Sequence, residues 1–185
     1  ILSEQEEAAA HVLDLSCAYA GRDEAKDMTL LVARAAQECR LPLMIDSTQV
    51  DVMEAALKLY GGRVILNSIN FESGEEKAAR IVEMARRFGA AVVCLTIDET
   101  GMAMTADRKV EIAKRLVEFC EQRGLRRGDL LLDTLTFTIG SGDDTLRTAA
   151  METIEAIRRI KAALPGTRTV LGLSNISFGL KPAGR

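Results

Sequence analysis

The chain has 185 residues, 48% of them hydrophobic, with 24 Lys and Arg against 27 Asp and Glu and a net charge of -3. That length can bury one sizeable core and fits a single domain. The charge balance offers no basic face to a nucleic acid, and no apolar run reaches the roughly 20 residues of a membrane-spanning helix. Neither kind of partner is expected, and the location expected is cytoplasmic.

The start, Ile1-Leu2-Ser3-Glu4, carries no signal peptide and no Met. The expectation is a chain that begins inside a longer polypeptide. A short helical tail over 4–10 leads into a first apolar run, Val12-Leu13-Asp14. Met28, Leu31, Val32, Ala35 and Ala36 recur at helical spacing and predict a helix over 23–40. A second run, Leu43 to Ser47, precedes a helix over 49–60, with Gly61-Gly62 as its left-handed stop. The third run, Val64 to Ser68, precedes a helix over 75–88 closed by Gly89. The fourth, Val92 to Glu99, precedes a helix over 105–123 with Val110, Ile112, Leu116, Val117 and Cys120 inward. The fifth, Leu130 to Asp133, precedes a helix over 144–164 stopped by Pro165-Gly166, and the sixth is Val170 to Asn175.

The runs are near-continuously apolar, as strands covered on both faces are. A unit of roughly 30 residues suits a βαβ repeat. Each run ends in polar residues. In a parallel α/β barrel all the strand ends reach one face, and that face holds the active site. Asp14, Asp46, Asn67, Asp98, Asp133 and Asn175 are therefore expected to converge. Carboxylates and amides with no basic residue among them suit a neutral, donor-rich ligand rather than a phosphate. A closed barrel needs eight strands and six are found. The reading is a partial (β/α)8 barrel over the whole of 1–185, lacking units at both ends.

Alternatives stay open at each position. Asp46, followed by Ser and a helix, could only cap that helix. Asn67 could satisfy a loop backbone. The turn-like setting of Asp98-Glu99 before Gly101 favours support over ligand contact, and Asp14 divides evenly between the two. Cys17, Cys39, Cys94 and Cys120 form no C-x-x-C pair, and with a single His there is no zinc set. They read as free thiols, with Cys17 near the site but without an activating neighbour. His11 reads as structural. Arg22 and Lys181 could meet an acidic tail, although charged loop residues are usually just solvated. Gly140-Ser141-Gly142 lacks the Lys and the spacing of a phosphate loop.

Asp46-Ser47, Asn67-Ser68, Asp98-Glu99 with Gly101, Asp133, and Ser174-Asn175-Ile176-Ser177-Phe178-Gly179 stand in that order at successive strand ends. In this order they resemble the pterin-binding methyltransferase family. It includes the folate module of cobalamin-dependent methionine synthase and the methyltetrahydrofolate:corrinoid/iron–sulfur protein methyltransferases, with dihydropteroate synthase a more distant relative. Leu171 to Asn175 and Ile97 to Ala103 look most like the methionine synthase branch.

The resemblance implies a pterin-type (β/α)8 TIM barrel of which this chain holds about strands two to seven. It also implies methyltetrahydrofolate as methyl donor. Asp46, Asn67 and Asp133 would hydrogen-bond the pterin and Asn175 would contact N5. A Co(I) corrinoid (cobalamin) on another domain or protein would accept the methyl, and zinc would sit only in a separate homocysteine module. Thr134 stands where the family usually has Pro. The runner-up is the corrinoid/iron–sulfur protein methyltransferase. Dihydropteroate synthase is disfavoured, because Ser174-Asn175-Ile176 replaces a Ser-Arg-Lys-like end. An inactive barrel fragment is the remaining alternative.

Overall fold

The computed structural model describes residues 2–181. The predicted tail end over 182–185 lies outside them. The chain divides into two compact units, one of residues 1–69 with 76–92 and one of 70–75 with 93–185.

The first unit holds α1 (Leu2–Glu7), β1 (Leu13–Ser16), α2 (Glu24–Glu38), β2 (Leu43–Asp46), α3 (Val50–Leu59), β3 (Val64–Ile69) and nearly all of α4 (Glu75–Phe88). β2 lies between β1 and β3, and both pairings are parallel. Side chains alternate between the faces of a strand, so the register sorts them into rows. Leu13, Leu43 and Val64 form one buried row, and Leu15, Ile45 and Leu66 the next. Met28, Val32 and Ala35 of α2 and Val52, Met53 and Ala56 of α3 are buried at helical spacing. The opposite strand face carries Asp14, Met44 and Ile65, then Ser16, Asp46 and Asn67.

The second unit holds most of β4 (Ala91–Leu95), the antiparallel pair β5 (Ile97–Asp98) and β6 (Gly101–Met102), α5 (Ala106–Gln122), β7 (Leu130–Asp133), α6 (Ala149–Ala163) and β8 (Arg168–Val170). β7 lies between β4 and β8 and pairs in parallel with β8. α5 starts at Thr105, whose hydroxyl accepts from the Arg108 N–H, and stops before Gly124 at φ +87°, a conformation that glycine adopts without strain. Its inward stripe, Val110, Ala113, Leu116, Val117 and Cys120, is buried. Phe71 and Phe119 meet edge to face, with centroids 5.1 Å apart.

Four boundaries depart from the sequence reading. β1 runs on to Ser16, so Asp14 lies inside the strand instead of at its end. The run from Val92 breaks at Thr96, and Ile97–Asp98 turns into a hairpin. β8 stops at Val170, and Asn175 lies in a 3-10 turn over Leu173–Ser177. Gly61 and Gly62 supply no left-handed stop: α3 ends because Tyr60 is extended, at φ -104° and ψ 113°. Gly62 answers a need for space instead, since a Cβ there would stand 2.6 Å from the Tyr60 ring.

Candidate functional site

In the first unit Ser16 and Asp46, the last residues of β1 and β2, are Cα partners, and Asp46 is in turn partnered with Asn67, which lies inside β3 instead of at its end. The loop after β2 is tied down by other groups. Ser47 Oγ accepts from the Gln49 N–H at 3.0 Å, and the Ser47 N–H donates to the Asn67 carbonyl at 3.2 Å. The buried Glu24, at the start of α2, accepts from Ser47 Oγ at 2.5 Å and from Gln49 Nε2 at 2.6 Å. Ser47 and Glu24 thus hold the loop that leads into α3, whose N-cap residue Gln49 makes no side-chain capping bond. Among the described residues, the side chains of Asp46 and Asn67 make no hydrogen bond within the protein. Both groups are half-buried, one an acceptor and the other a donor and acceptor.

Burial, with Glu24 nearby, pushes the Asp46 carboxyl above its ordinary value, and burial together with Asp46 does the same to Asp14. Asp14 stands two residues before Ser16 on the same face, roughly 7 Å further down the strand. Burial, Asp27 and Glu24 push the Cys17 thiol up, so it is not an activated nucleophile. Arg22 is paired in a fork with Asp27, at 2.5 and 2.8 Å.

In the second unit Asp133 ends β7 and accepts from the Leu135 N–H at 2.7 Å. Burial pushes its carboxyl up, while the Leu135 N–H, the Lys109 charge and the Gly172 N–H pull it back. Leu135 has φ +56°, rare for a residue with a side chain. Its carbonyl accepts from Lys109 Nζ at 3.1 Å and from Thr153 Oγ1 at 2.8 Å.

Lys109 is fully buried, also donates to the Thr134 carbonyl, and stands 5.2 Å from the Phe137 ring centroid. Burial lowers its pKa to about 8, against the opposing pull of Asp133 and Glu152. The sequence reading passed over this residue. The signal was there: Ala106, Lys109, Ala113, Leu116 and Cys120 follow helical spacing, which places a lysine on the apolar stripe.

Asn175 is exposed, and its carbonyl accepts from Thr138 Oγ1 at 2.9 Å. A Cβ on Gly172 would stand 3.0 Å from Asn175 Nδ2, so that glycine makes room for the amide. Asn175, Thr136, Thr138, Phe137, Phe178 and Met102 line a cavity of about 530 Å³ in this unit. The buried Thr134 and Thr136 hydroxyls, and that of Thr96, have no partner. Unpaired buried hydroxyls are costly, and that of Thr136 belongs to a residue lining the cavity.

Asp98 differs from the other five residues. It is buried, and one oxygen accepts from the Thr100 N–H at 3.0 Å and from its hydroxyl at 2.7 Å. The other accepts from Arg108. Its carboxylate is committed to the hairpin and to α5, which is the supporting role.

Parallel strands alternating with helices, with polar side chains gathered toward one end of the strands, define a protein of the α/β barrel class. The family described as pterin binding enzyme matches residues 2–185. The chain belongs to that family. It is 48% identical to the methionine synthase of Mycobacterium tuberculosis and 45% identical to that of Mycobacterium leprae. All of this chain is covered in each case, but only 16% of the relative, so the chain spans about a sixth of their length.

Among solved structures, Xanthomonas albilineans dihydropteroate synthase with 4-aminobenzoic acid matches at TM-score 0.68 and 17% identity. That match covers 93% of this chain and 62% of the other. The Vibrio fischeri enzyme matches at TM-score 0.64 and 12% identity, over 98% and 72%. At such identities the likeness is one of fold: six parallel strands with flanking helices matching part of a pterin-binding (β/α)8-type barrel.

Proposed function

We propose that this chain binds 5-methyltetrahydrofolate and holds its N5-methyl group for transfer to a Co(I) corrinoid carried by another domain or protein, as one step of methionine synthesis. The observation that carries the reading is the 48% identity to a methionine synthase across the whole chain. Against the dihydropteroate synthases the likeness is one of fold alone, at 12–19% identity.

The chemistry of the residues supports it. A pterin edge presents an amino group, ring N–H groups and a carbonyl. Asp46 and Asp133 are acceptors for the donors, and Asn67 can both donate and accept. A site with such groups rejects ligands that leave them unpaired. Asn175 is assigned to N5. The methyl leaves as the N5–CH3 bond breaks with its electron pair on N5, and a proton satisfies that pair. The pair for the new bond comes from Co(I). A tertiary amine leaves poorly, so a hydrogen bond or proton delivered at N5 lowers the barrier. Asp14, below the strand ends, and Asp98, held by Arg108, support the site in this reading. Zinc, in this reading, belongs to a separate homocysteine module.

The test is calorimetric titration of the intact protein with 5-methyltetrahydrofolate, followed by methyl transfer to Co(I) cobalamin, for wild type and Asn175→Ala. Binding by both, with transfer falling at least a hundredfold in the variant, is the expected result. A wild type that does not bind sinks the reading.

A further inference from the structure

We infer that Lys109 is a positioning residue: its buried ammonium ties down the carbonyls of Thr134 and Leu135 and thereby aims the Asp133 carboxylate and the loop behind it at the ligand. The inference rests on the pterin reading for the identity of that ligand, and it extends that reading to a residue in the middle of a helix.

Three observations carry it. A lysine with no exposed surface lies on the inner stripe of α5, where Met or Leu would pack without the desolvation of a charge. Both of its hydrogen bonds go to consecutive carbonyls of one loop, the one that follows Asp133. That loop is in a conformation it would not take alone. Leu135 sits at φ +56°, with its N–H held by Asp133 Oδ1 and its carbonyl shared by Lys109 Nζ and Thr153 Oγ1. Strained backbone persists where its surroundings over-determine it, and such places cluster at ligand sites. The loop leads directly into Thr136 and Phe137, which line the cavity shared with Asn175.

The charge matters as well as the geometry. The acidic groups near Lys109 are Asp133 of β7 and Glu152 of α6. Glu152 already accepts from the Ala106 N–H at 2.5 Å, at the start of α5. Asp133 is the group whose function needs the counter-charge. To accept hydrogen bonds from a pterin through both oxygens it must stay ionised, and burial works against that. Lys109 opposes the protonation.

The experiment measures the affinity of the intact protein for 5-methyltetrahydrofolate from pH 5 to 9.5. The proteins are wild type, Lys109→Met, Thr153→Val, Asp133→Asn and the Lys109→Met/Asp133→Asn double variant. Lys109→Met is expected to weaken binding at least tenfold at pH 7 and to move the acid limb up by a unit or more. Thr153→Val, which removes the other donor to the Leu135 carbonyl, weakens binding without moving that limb. On the Asp133→Asn background Lys109→Met keeps only the loss from the freed Thr134 and Leu135 carbonyls, comparable to that of Thr153→Val and clearly smaller than its loss in wild type, because there is no charge left to hold.

An unmoved acid limb, or an equal loss in both backgrounds, overturns the inference and leaves Lys109 a packing residue. Should Lys109→Met not fold, wild type itself reads the point. Its affinity falls severalfold as pH rises through about 8 and Lys109 discharges, and that of Asp133→Asn does not; a flat wild-type profile overturns the inference. A wild type that binds at no pH sinks the pterin reading instead. The Lys109–Asp133 coupling is then read from the melting temperatures of the same variants, and strictly additive shifts overturn it separately.

Discussion

Asp46, at the end of β2, is the Cα partner of Asn67 in β3, and the Ser47 N–H donates to the carbonyl of Asn67, so backbone bonds hold the pair while both side chains stay unengaged. A half-buried carboxylate left without a partner comes at some cost to the fold. The Asp46 carboxyl is raised above its ordinary value by burial and by Glu24. The folded chain therefore holds that proton more tightly than the unfolded one. The stabilisation is complete below the unfolded pKa and is lost as pH rises through the folded one. At neutral pH the charge is a burden. Asp46→Asn is expected to leave stability in denaturant equal to wild type or higher, while affinity for 5-methyltetrahydrofolate falls tenfold or more, about 1.4 kcal/mol. Denaturant titration beside calorimetry checks both; a large loss of stability would make Asp46 a structural residue.

Arg108 meets one oxygen of the buried Asp98 and also pairs with Glu111 at 2.8 Å. Arg108 is only half-buried, but removing it leaves the buried Asp98 carboxylate without its counter-charge. Arg108→Ala is therefore expected to lower stability more than Asp98→Asn, which keeps an acceptor for the Thr100 N–H. Urea unfolding of the two variants orders them. A ligand affinity per folded molecule close to wild type in both would agree with Asp98 as a support of the hairpin.

Phe71 is fully buried against Phe119, and the Arg115 guanidinium lies 4.2 Å from its ring centroid while also reaching Glu75 and Glu99. Phe71→Ala empties this position and is expected to cost about 4 kcal/mol, within the range for large aromatic truncations. Phe71→Leu keeps most of the volume and costs less. Equal losses for the two substitutions would mean that the position tolerates collapse.

Much of this was legible in the chain. The strand–helix alternation follows from apolar runs that end in polar residues, and the helices from stripes such as Val110, Leu116 and Val117 with caps such as Thr105 and Gly124. What escaped depends on contacts distant in sequence. Glu24 lies 23 residues before the Ser47 it holds; a glutamate in a first helical turn reads as ordinary helix chemistry. Asp46 stands where a helix cap is expected, but Gln49 takes the cap position without a side-chain bond and the Ser47 hydroxyl accepts from its N–H. Asn175 was read at the end of a strand because Leu171 and Leu173 prolong the apolar pattern, but Gly172 interrupts it and the backbone turns. The glycine pair after α3 carried a turn signal whose actual use is clearance for Tyr60. Lys109 was the one omission with a signal in the pattern itself, a charge on an apolar stripe.

That omission leads to a prediction independent of any ligand. Burial lowers the Lys109 pKa to about 8 from an ordinary 10.5. Between those two values the unfolded chain binds the proton and the folded chain does not, so unfolding takes up a proton and stability rises with pH. Below about 8 the charge is present in both states and its burial penalty is felt in full; above 10.5 it is absent from both. The contribution across the window is on the order of 3 kcal/mol. Cys17 and Cys94 act in the opposite direction, because burial raises the first thiol, and contact with Cys120 together with burial raises the second; each loses stabilisation as the pH climbs. The quantity to measure is therefore the difference between wild type and Lys109→Met, taken from denaturant unfolding at intervals from pH 7 to 10.5. Wild type is expected to gain on the variant through that range. Parallel profiles would mean that Lys109 keeps an ordinary pKa in the fold, and that the carbonyls of Thr134 and Leu135, with Asp133 beside them, fully replace the water it gave up.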